Sequence, residues 1–440
     1  MYMTHRLFLA ALLVCFLGSH SRSQPAEVSV TRMGNGLTLI LQEDHSTELV
    51  GVAVWVKAGS GSETPENNGV SHFIEHLVFG ATAKRAPGEM DLEMESVGAT
   101  LDARTSRDWA HFDTTVSSRY LSKALDVLAD AMTTAQFRHT DVQRERRVIL
   151  DEIARKETAP FSVCKDLLAK ELYGTHPYGL TVEGTRDSVK RVARQDILDY
   201  YRKYYVPGNM AVVLVGDIDK QRAAAEVGRA FQGAPSAPAP KDPARPIAPV
   251  SGQVNKFVKG PFPLHYLAIG FLGPPASDYA DVCATDVMLS HVGFGYRSWM
   301  SHQLKDKMGL AVDVRADFLT QRDPGMVSLV AATTSANRDK VKGAIFARLA
   351  SIRSEGISAG DLGVAKRSLL GQFAFQNETF GGRANAYGFY FAASDPAFAE
   401  RYVDCVRSVT NEDIIRVAQK YLDPRRAVVM TVVPDQEYRE

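Results

Sequence analysis

The chain has 440 residues, of which 45% are hydrophobic and 23% charged, an ordinary globular composition and a length suited to about two domains rather than one core. Lysine plus arginine and aspartate plus glutamate both total 51. There is no basic excess of the kind a nucleic-acid binder carries, so no nucleic-acid partner is expected.

Residues 1–23 have the layout of a signal peptide: His5 and Arg6, an apolar run from Leu7 to Gly18, then small polar residues. The run is short for a membrane span; an uncleaved anchor and a mitochondrial presequence are the other readings. The expectation is export, to the periplasm or beyond the cell, into an oxidising compartment. Cleavage removes Cys15 and leaves Cys164, Cys283 and Cys405. Three cysteines make no disulfide framework and have no metal-ligand spacing, so they are expected as mostly buried small apolar residues.

The next segments, "LTLILQE" and "VGVAVWVKAG", predict strands. They are followed by "GVSHFIEHLVFGAT", Gly69–Thr82, in which His72, Glu75 and His76 interrupt an apolar run. Positions four apart share one helix face, so His72 and His76 can share a zinc ion, and Glu75 can reach a water on it. The competing reading is a core helix with two hydrogen-bonded histidines. A long helix is expected near Tyr120–Gln136. Beyond it, "DVQRERRVILDEIARKE" from Asp141 places Glu145 and Glu152 within a helical stripe of Val142, Val148, Ile149 and Ile153. Buried carboxylates cost several kcal/mol unless paired or metal-bound. Glu152 is thus a candidate third ligand, the alternative being pairing with the neighbouring arginines.

Residues 232–252, "QGAPSAPAPKDPARPIAPVSG", cannot pack a core and predict a proline-rich connector between a first half, 24–231, and a second half, 253–440. The halves look duplicated. The segment from Val192 matches that from Val409, with Asp196, Ile197, Lys203, Tyr204 and Pro207 opposite Asp413, Ile414, Lys420, Tyr421 and Pro424. Strands and helices without regular βαβ alternation predict an α+β fold: two homologous α/β-sandwich halves, each a mixed or antiparallel sheet packed with helices.

His72-Phe73-Ile74-Glu75-His76, Glu152 in "ERRVILDEI", "HPYG" at His176–Gly179 and "YYVPGNMAVVLVGD" at Tyr204–Asp217 resemble the inverted-motif zinc peptidases, the family of pitrilysin, insulin-degrading enzyme and mitochondrial processing peptidase. The resemblance implies one zinc per chain held by His72, His76 and Glu152, with Glu75 as general base, Glu145 orienting a ligand, and a zinc-activated water attacking the peptide bond. It implies that an extended substrate pairs with the edge strand at Asp102, Ala103 and Arg104, although the family often has Asn at the first of these. It also implies halves that face each other around a chamber, restricting substrates to peptides or unfolded segments. The second half has Val287 and Ser290 where the motif has His72 and Glu75, retains only His291, and is expected to be inactive. Lys305 and Val312 stand where the family's substrate-holding Arg and Tyr stand. This pattern suggests a catalytic subunit working with a homologous zinc-free subunit, the alternative being a homodimer. Two other readings are a non-catalytic zinc-peptidase-like scaffold or partner subunit, and a zinc enzyme acting on something other than peptides.

Overall fold

A computed structural model describes residues 27–234, 236–241 and 245–435. The predicted signal peptide lies outside the described residues. The first half forms a six-stranded sheet of β1 (Ser29–Arg32), β2 (Thr38–Glu43), β3 (Leu49–Val56), β4 (Asp102–Thr105), β5 (Ala110–Ser117) and β6 (Met210–Gly216), in the order β1-β2-β6-β3-β5-β4. The second half forms a five-stranded sheet of β7 (Val254–Gly260), β8 (His265–Leu272), β9 (Asp313–Leu319), β10 (Met326–Thr333) and β11 (Val428–Pro434), in the order β7-β11-β8-β10-β9. The two sheets follow one path. β2 runs parallel to β6 as β7 does to β11, and the remaining neighbours in each are antiparallel. β1 is an addition to the first. The α+β sandwich reading and the duplication are both present in this topology.

The central strands are β-branched and buried on both faces, so each sheet needs two covers. The period-2 alternation of a strand sorts them. Val50, Val52, Val54 and Val56 of β3 point into the first half's own helices. Ala53 and Trp55 point the other way, into a core that includes Tyr387, Tyr390 and Phe391 of the helix Phe380–Ala393, which belongs to the second half. The exchange is reciprocal. Helix Pro160–Tyr173 of the first half covers β8, β10 and β11 with Phe161, Cys164, Leu168 and Leu172, against Tyr266, Ala268, Val330 and Met430. The two halves of one chain therefore interlock through exchanged helices, and do not face each other across a chamber as the resemblance implied. The second face of each sheet is too apolar to be left open, and the other half fills it. The connector also lies along the first half: Gly208 N donates to Ala237 O (2.9 Å) and Arg245 Nη1 to Glu63 O (3.0 Å).

Close approach of helix Phe380–Ala393 to β3 depends on glycine. A Cβ on Gly388 would lie 2.0 Å from Trp55 Nε1, and one on Gly51 2.6 Å from Gly381 N. Gly388→Ala must push the helix off the sheet or turn the indole, and is expected to destabilise the fold by about 1–3 kcal/mol, read as a lower midpoint of urea unfolding. An unchanged midpoint would mean that this contact does not hold the halves together.

Candidate active site

The helix Val70–Leu77 carries the motif. Its start is built by residues with no place in the motif. Gly69 adopts φ +98°, and a Cβ there would lie 2.9 Å from Glu183 O, so glycine is needed both for the backbone and for the space. The buried Glu63 carboxylate accepts hydrogen bonds from Asn68 Nδ2, Gly69 N and Ser71 N, each at 2.8 Å, and from the Ser71 hydroxyl. One side chain thus satisfies two of the free N–H groups of the first turn, Val70 N donating instead to Asn67 O at 3.0 Å, and fixes the helix in rotation. Val70, Phe73, Ile74 and Leu77 anchor it in the core, which turns His72, Glu75 and His76 towards the helix His139–Glu157.

That helix supplies the carboxylates. Glu152 Oε2 lies 3.3 Å from His76 Nε2 and 3.8 Å from His72 Nε2. Glu145 Oε2 lies 3.3 Å from the other nitrogen of His76, Nδ1, and is itself held by Arg144 Nε at 2.9 Å. The two imidazoles meet edge to face, 4.7 Å between ring centres. Ligand-type atoms of His72, Glu75 and His76 fall within 4.8 Å of one another, the only such triple of His, Cys, Asp or Glu among the described residues.

The stripe expected on this helix needs a correction. Val142, Ile149 and Ile153 are buried, but Val148 is 38% exposed. At about 100° per residue, Val148 lies about 120° from the centre of the other three, and Glu145 and Glu152 lie about 60–80° from it. The carboxylates therefore sit on the border of the apolar stripe, where they reach the histidines without entering the core.

Burial, and then the neighbouring His76, push the His72 imidazole down to about 4. It is neutral at pH 7 and keeps a free lone pair. Burial raises the Glu75 carboxyl above the usual glutamate range, opposed in part by contact with Thr105 at the end of β4 and by His76. Behind His72 lies a three-residue ion cluster that the sequence did not reveal. Lys156 Nζ lies 2.6 Å from Glu183 and 2.8 Å from Asp166. Burial alone would raise Glu183, but the Lys156 ammonium outweighs it and holds this carboxyl below its usual range, close enough to His72 to interact with it. Lys156 falls one turn after Glu152, whereas Glu183 comes from a loop with no periodic signal.

β4 is the outermost strand, paired on one side only with β5, Asp102 opposite Asp113 and Arg104 opposite His111. Ala103 sits between these, opposite Phe112. Asp102 and Arg104 are exposed and pair with each other at 3.1 Å. Asp113 is pushed up to about 6, by burial first and by Asp102 second. Lys305 lies in the π-helical segment Met300–Lys307, and Val312, 55% exposed, just before β9. Among the described residues no hydrogen bond or ion pair joins either side chain to the histidines or to Glu75, Glu145 or Glu152.

The second half shows what the same scaffold becomes without the motif. Helices His139–Glu157 and Pro160–Tyr173 have counterparts, Ala359–Gln376 and Phe380–Ala393, that start 220 residues later (359 against 139, 380 against 160). This puts Ala365 opposite Glu145 and Gln372 opposite Glu152. Ser290 Oγ donates to Ala365 O (3.1 Å), and His291 contacts the Arg348 guanidinium. His291 thus meets a cation, whereas His76 meets two carboxylates.

Comparison with known proteins gives matches over most of the chain. Residues 38–186 match the family described as Insulinase (Peptidase family M16), and residues 191–369 match the Peptidase M16 inactive domain. The uncharacterized zinc protease SCO5738 of Streptomyces coelicolor is 28% identical over 90% of this chain and 87% of its own length. A probable mitochondrial-processing peptidase subunit beta of Arabidopsis thaliana is 26% identical over 96% of this chain and 81% of its own. The crystal structure of a protease from Helicobacter pylori superposes with a TM-score of 0.87 at 23% identity, covering 93% of this chain and all of that one, and shares its fold.

Proposed function

The chain belongs to peptidase family M16, the insulinase family, and from that premise we propose that it is a zinc-dependent endopeptidase acting on peptides or unfolded polypeptide segments. The observation that carries this reading is the convergence of His72 and His76 with Glu152, drawn from two helices, beside a part-buried carboxylate, Glu75. Two imidazoles and a carboxylate suit zinc, which takes N and O donors and keeps an open position in catalytic sites. His72, whose burial holds it neutral, needs no proton removed to become a ligand. His76 is turned by Glu145, as ligating histidines are commonly turned by a carboxylate on the far nitrogen.

When bound, zinc supplies Lewis acidity, making a water acidic near neutral pH and polarising the scissile carbonyl. Glu75 takes the proton of the attacking water and hands it to the departing amine nitrogen. Its raised proton affinity suits both steps. β4 offers one unpaired edge to an extended chain, which would add as a strand and bring its backbone past Thr105 to Glu75.

Since the halves of one chain interlock, the chamber in this reading is closed by a second chain, either a copy or a homologous zinc-free subunit. The β-subunit name of the Arabidopsis relative supports this arrangement, as do Lys305 and Val312 in place of the usual Arg and Tyr. Export by residues 1–23 completes the proposal, placing the enzyme in the periplasm or outside the cell. The experiment is incubation of the purified chain with a library of unfolded peptides, read by mass spectrometry. It is run with and without a chelator, and at rising protein concentration with and without any co-purifying homologue. Cleavage at internal bonds is expected, abolished by chelation and restored by zinc, with specific activity rising on assembly. Cleavage indifferent to chelator, or none under any condition, would overturn the proposal.

A further inference from the structure

Cys283 stands on the helix Tyr279–Gly293 and is buried, and Cys405 stands on the helix Phe398–Ser408 packed across it and is part-buried. Cys405 Sγ lies 3.5 Å from the carbonyl oxygen of Tyr279. In an α-helix that carbonyl is the acceptor for the N–H four residues on, which is that of Cys283. The Cys405 sulfur therefore rests on the turn from which the Cys283 side chain rises, and the two thiols are close enough to shift each other's proton affinity. Contacts on either side hold the helices in this register. Tyr279 stacks on Phe398 with ring centres 4.0 Å apart, and the Tyr402 hydroxyl donates to Asp286 Oδ2 at 2.8 Å.

We infer that Cys283 and Cys405 are a disulfide-forming pair, closed by thiol–disulfide exchange wherever the protein meets an oxidised low-molecular-weight thiol or a dithiol oxidase. The two sulfurs divide the chemistry. Cys405 is the one a reagent can reach, and the nearby Cys283 thiol favours its thiolate. The same proximity, together with burial, pushes Cys283 well above the ordinary thiol range. The Cys405 thiolate, its proton lost to water, attacks one sulfur of the oxidant's disulfide. A Cys405–oxidant bond forms and the oxidant's S–S bond breaks, releasing one thiolate. Cys283 then attacks Cys405 Sγ, and its proton leaves with the second oxidant thiolate. Two protein thiols are oxidised to one disulfide, and the oxidant's disulfide is reduced to two thiols. Cys164 is a built-in control. It lies in the separate core with Phe161 and Leu168, and burial pushes it up to about 12.

The loop so closed contains about 120 residues, among them the helix Phe380–Ala393 that covers the first half's sheet. The bond would thus restrain the exchanged element as well as its own half. The inference does not depend on peptidase activity. The full chain, purified reduced, is incubated with oxidised glutathione, denatured, alkylated without reduction, digested and mapped by mass spectrometry. The expected result is one linked peptide joining Cys283 to Cys405, with Cys164 alkylated. Tm should rise by about 5 °C on oxidation, fall back with dithiothreitol, and stay unchanged in Cys283→Ala. Alkylation of both Cys283 and Cys405, or their recovery only as glutathione adducts or linked to Cys164, would overturn the inference. The map of the unsubstituted chain decides this even if Cys283→Ala fails to fold.

Discussion

Glu75→Gln is expected to lower kcat for peptide hydrolysis by about 10²–10⁴-fold, the usual contribution of a positioned general base, while zinc stays at one per chain. The amide has the shape of the carboxyl and can keep contact with Thr105 of β4, but it cannot take a proton from water. The assignment has a direct competitor, because Glu75 groups as closely with His72 and His76 as a ligand would. Metal content measured by plasma mass spectrometry on the samples used for initial rates separates the two roles. Lost turnover with retained zinc makes Glu75 the base. Loss of zinc would make it a ligand, and full turnover would remove it from the mechanism.

His76→Ala and Glu152→Ala should each reduce zinc well below one per chain and abolish activity. Removing one of three protein ligands leaves an incomplete site. Glu145→Ala should act differently. It leaves every ligand in place and frees only the far nitrogen of His76, so zinc affinity should weaken by about 10–100-fold and activity should return when zinc is added. Competition with a chromophoric chelator distinguishes these cases. If Glu152→Ala binds zinc as tightly as the unsubstituted chain, the carboxylate ligand is another residue, and Glu183, beside His72, is the next to test.

The peptide library tests a broader claim than any of these four substitutions. Intact cleavage in His76→Ala would also show that zinc at this site is not needed for the observed activity.

Much of this was legible in the chain itself because it depends on local geometry. The four-residue spacing of His72 and His76 puts them on one face of any helix, wherever that helix packs. The valine-rich run at β3 and the aliphatic and aromatic runs at β2 and β8 become strands for reasons of side-chain shape. The match between the Val192 and Val409 segments announces the duplicated halves, since like sequences fold alike. The border position of Glu152 was obtainable too, but Val148 was read as part of an apolar stripe that its angle excludes.

Contacts between segments distant in sequence were not legible. That Glu152 turns Oε2 to His72 and His76, while Oε1 stays 3.6 Å from Arg155 Nη2 on its own helix, depends on how two helices cross, 76 residues apart. Glu63 caps the motif helix from six to eight residues upstream, outside any fixed capping spacing. Glu183 reaches His72 from an aperiodic loop. The exchange of helices Pro160–Tyr173 and Phe380–Ala393 was hidden because apolar periodicity says that a face is buried without saying by what. The pairing of Cys283 with Cys405 was hidden likewise, since three cysteines allow any partner until packing chooses one. Local spacing and side-chain shape determine which groups share a helix or a strand face. Which faces then meet is decided only when the whole chain finds the arrangement that covers its apolar surfaces.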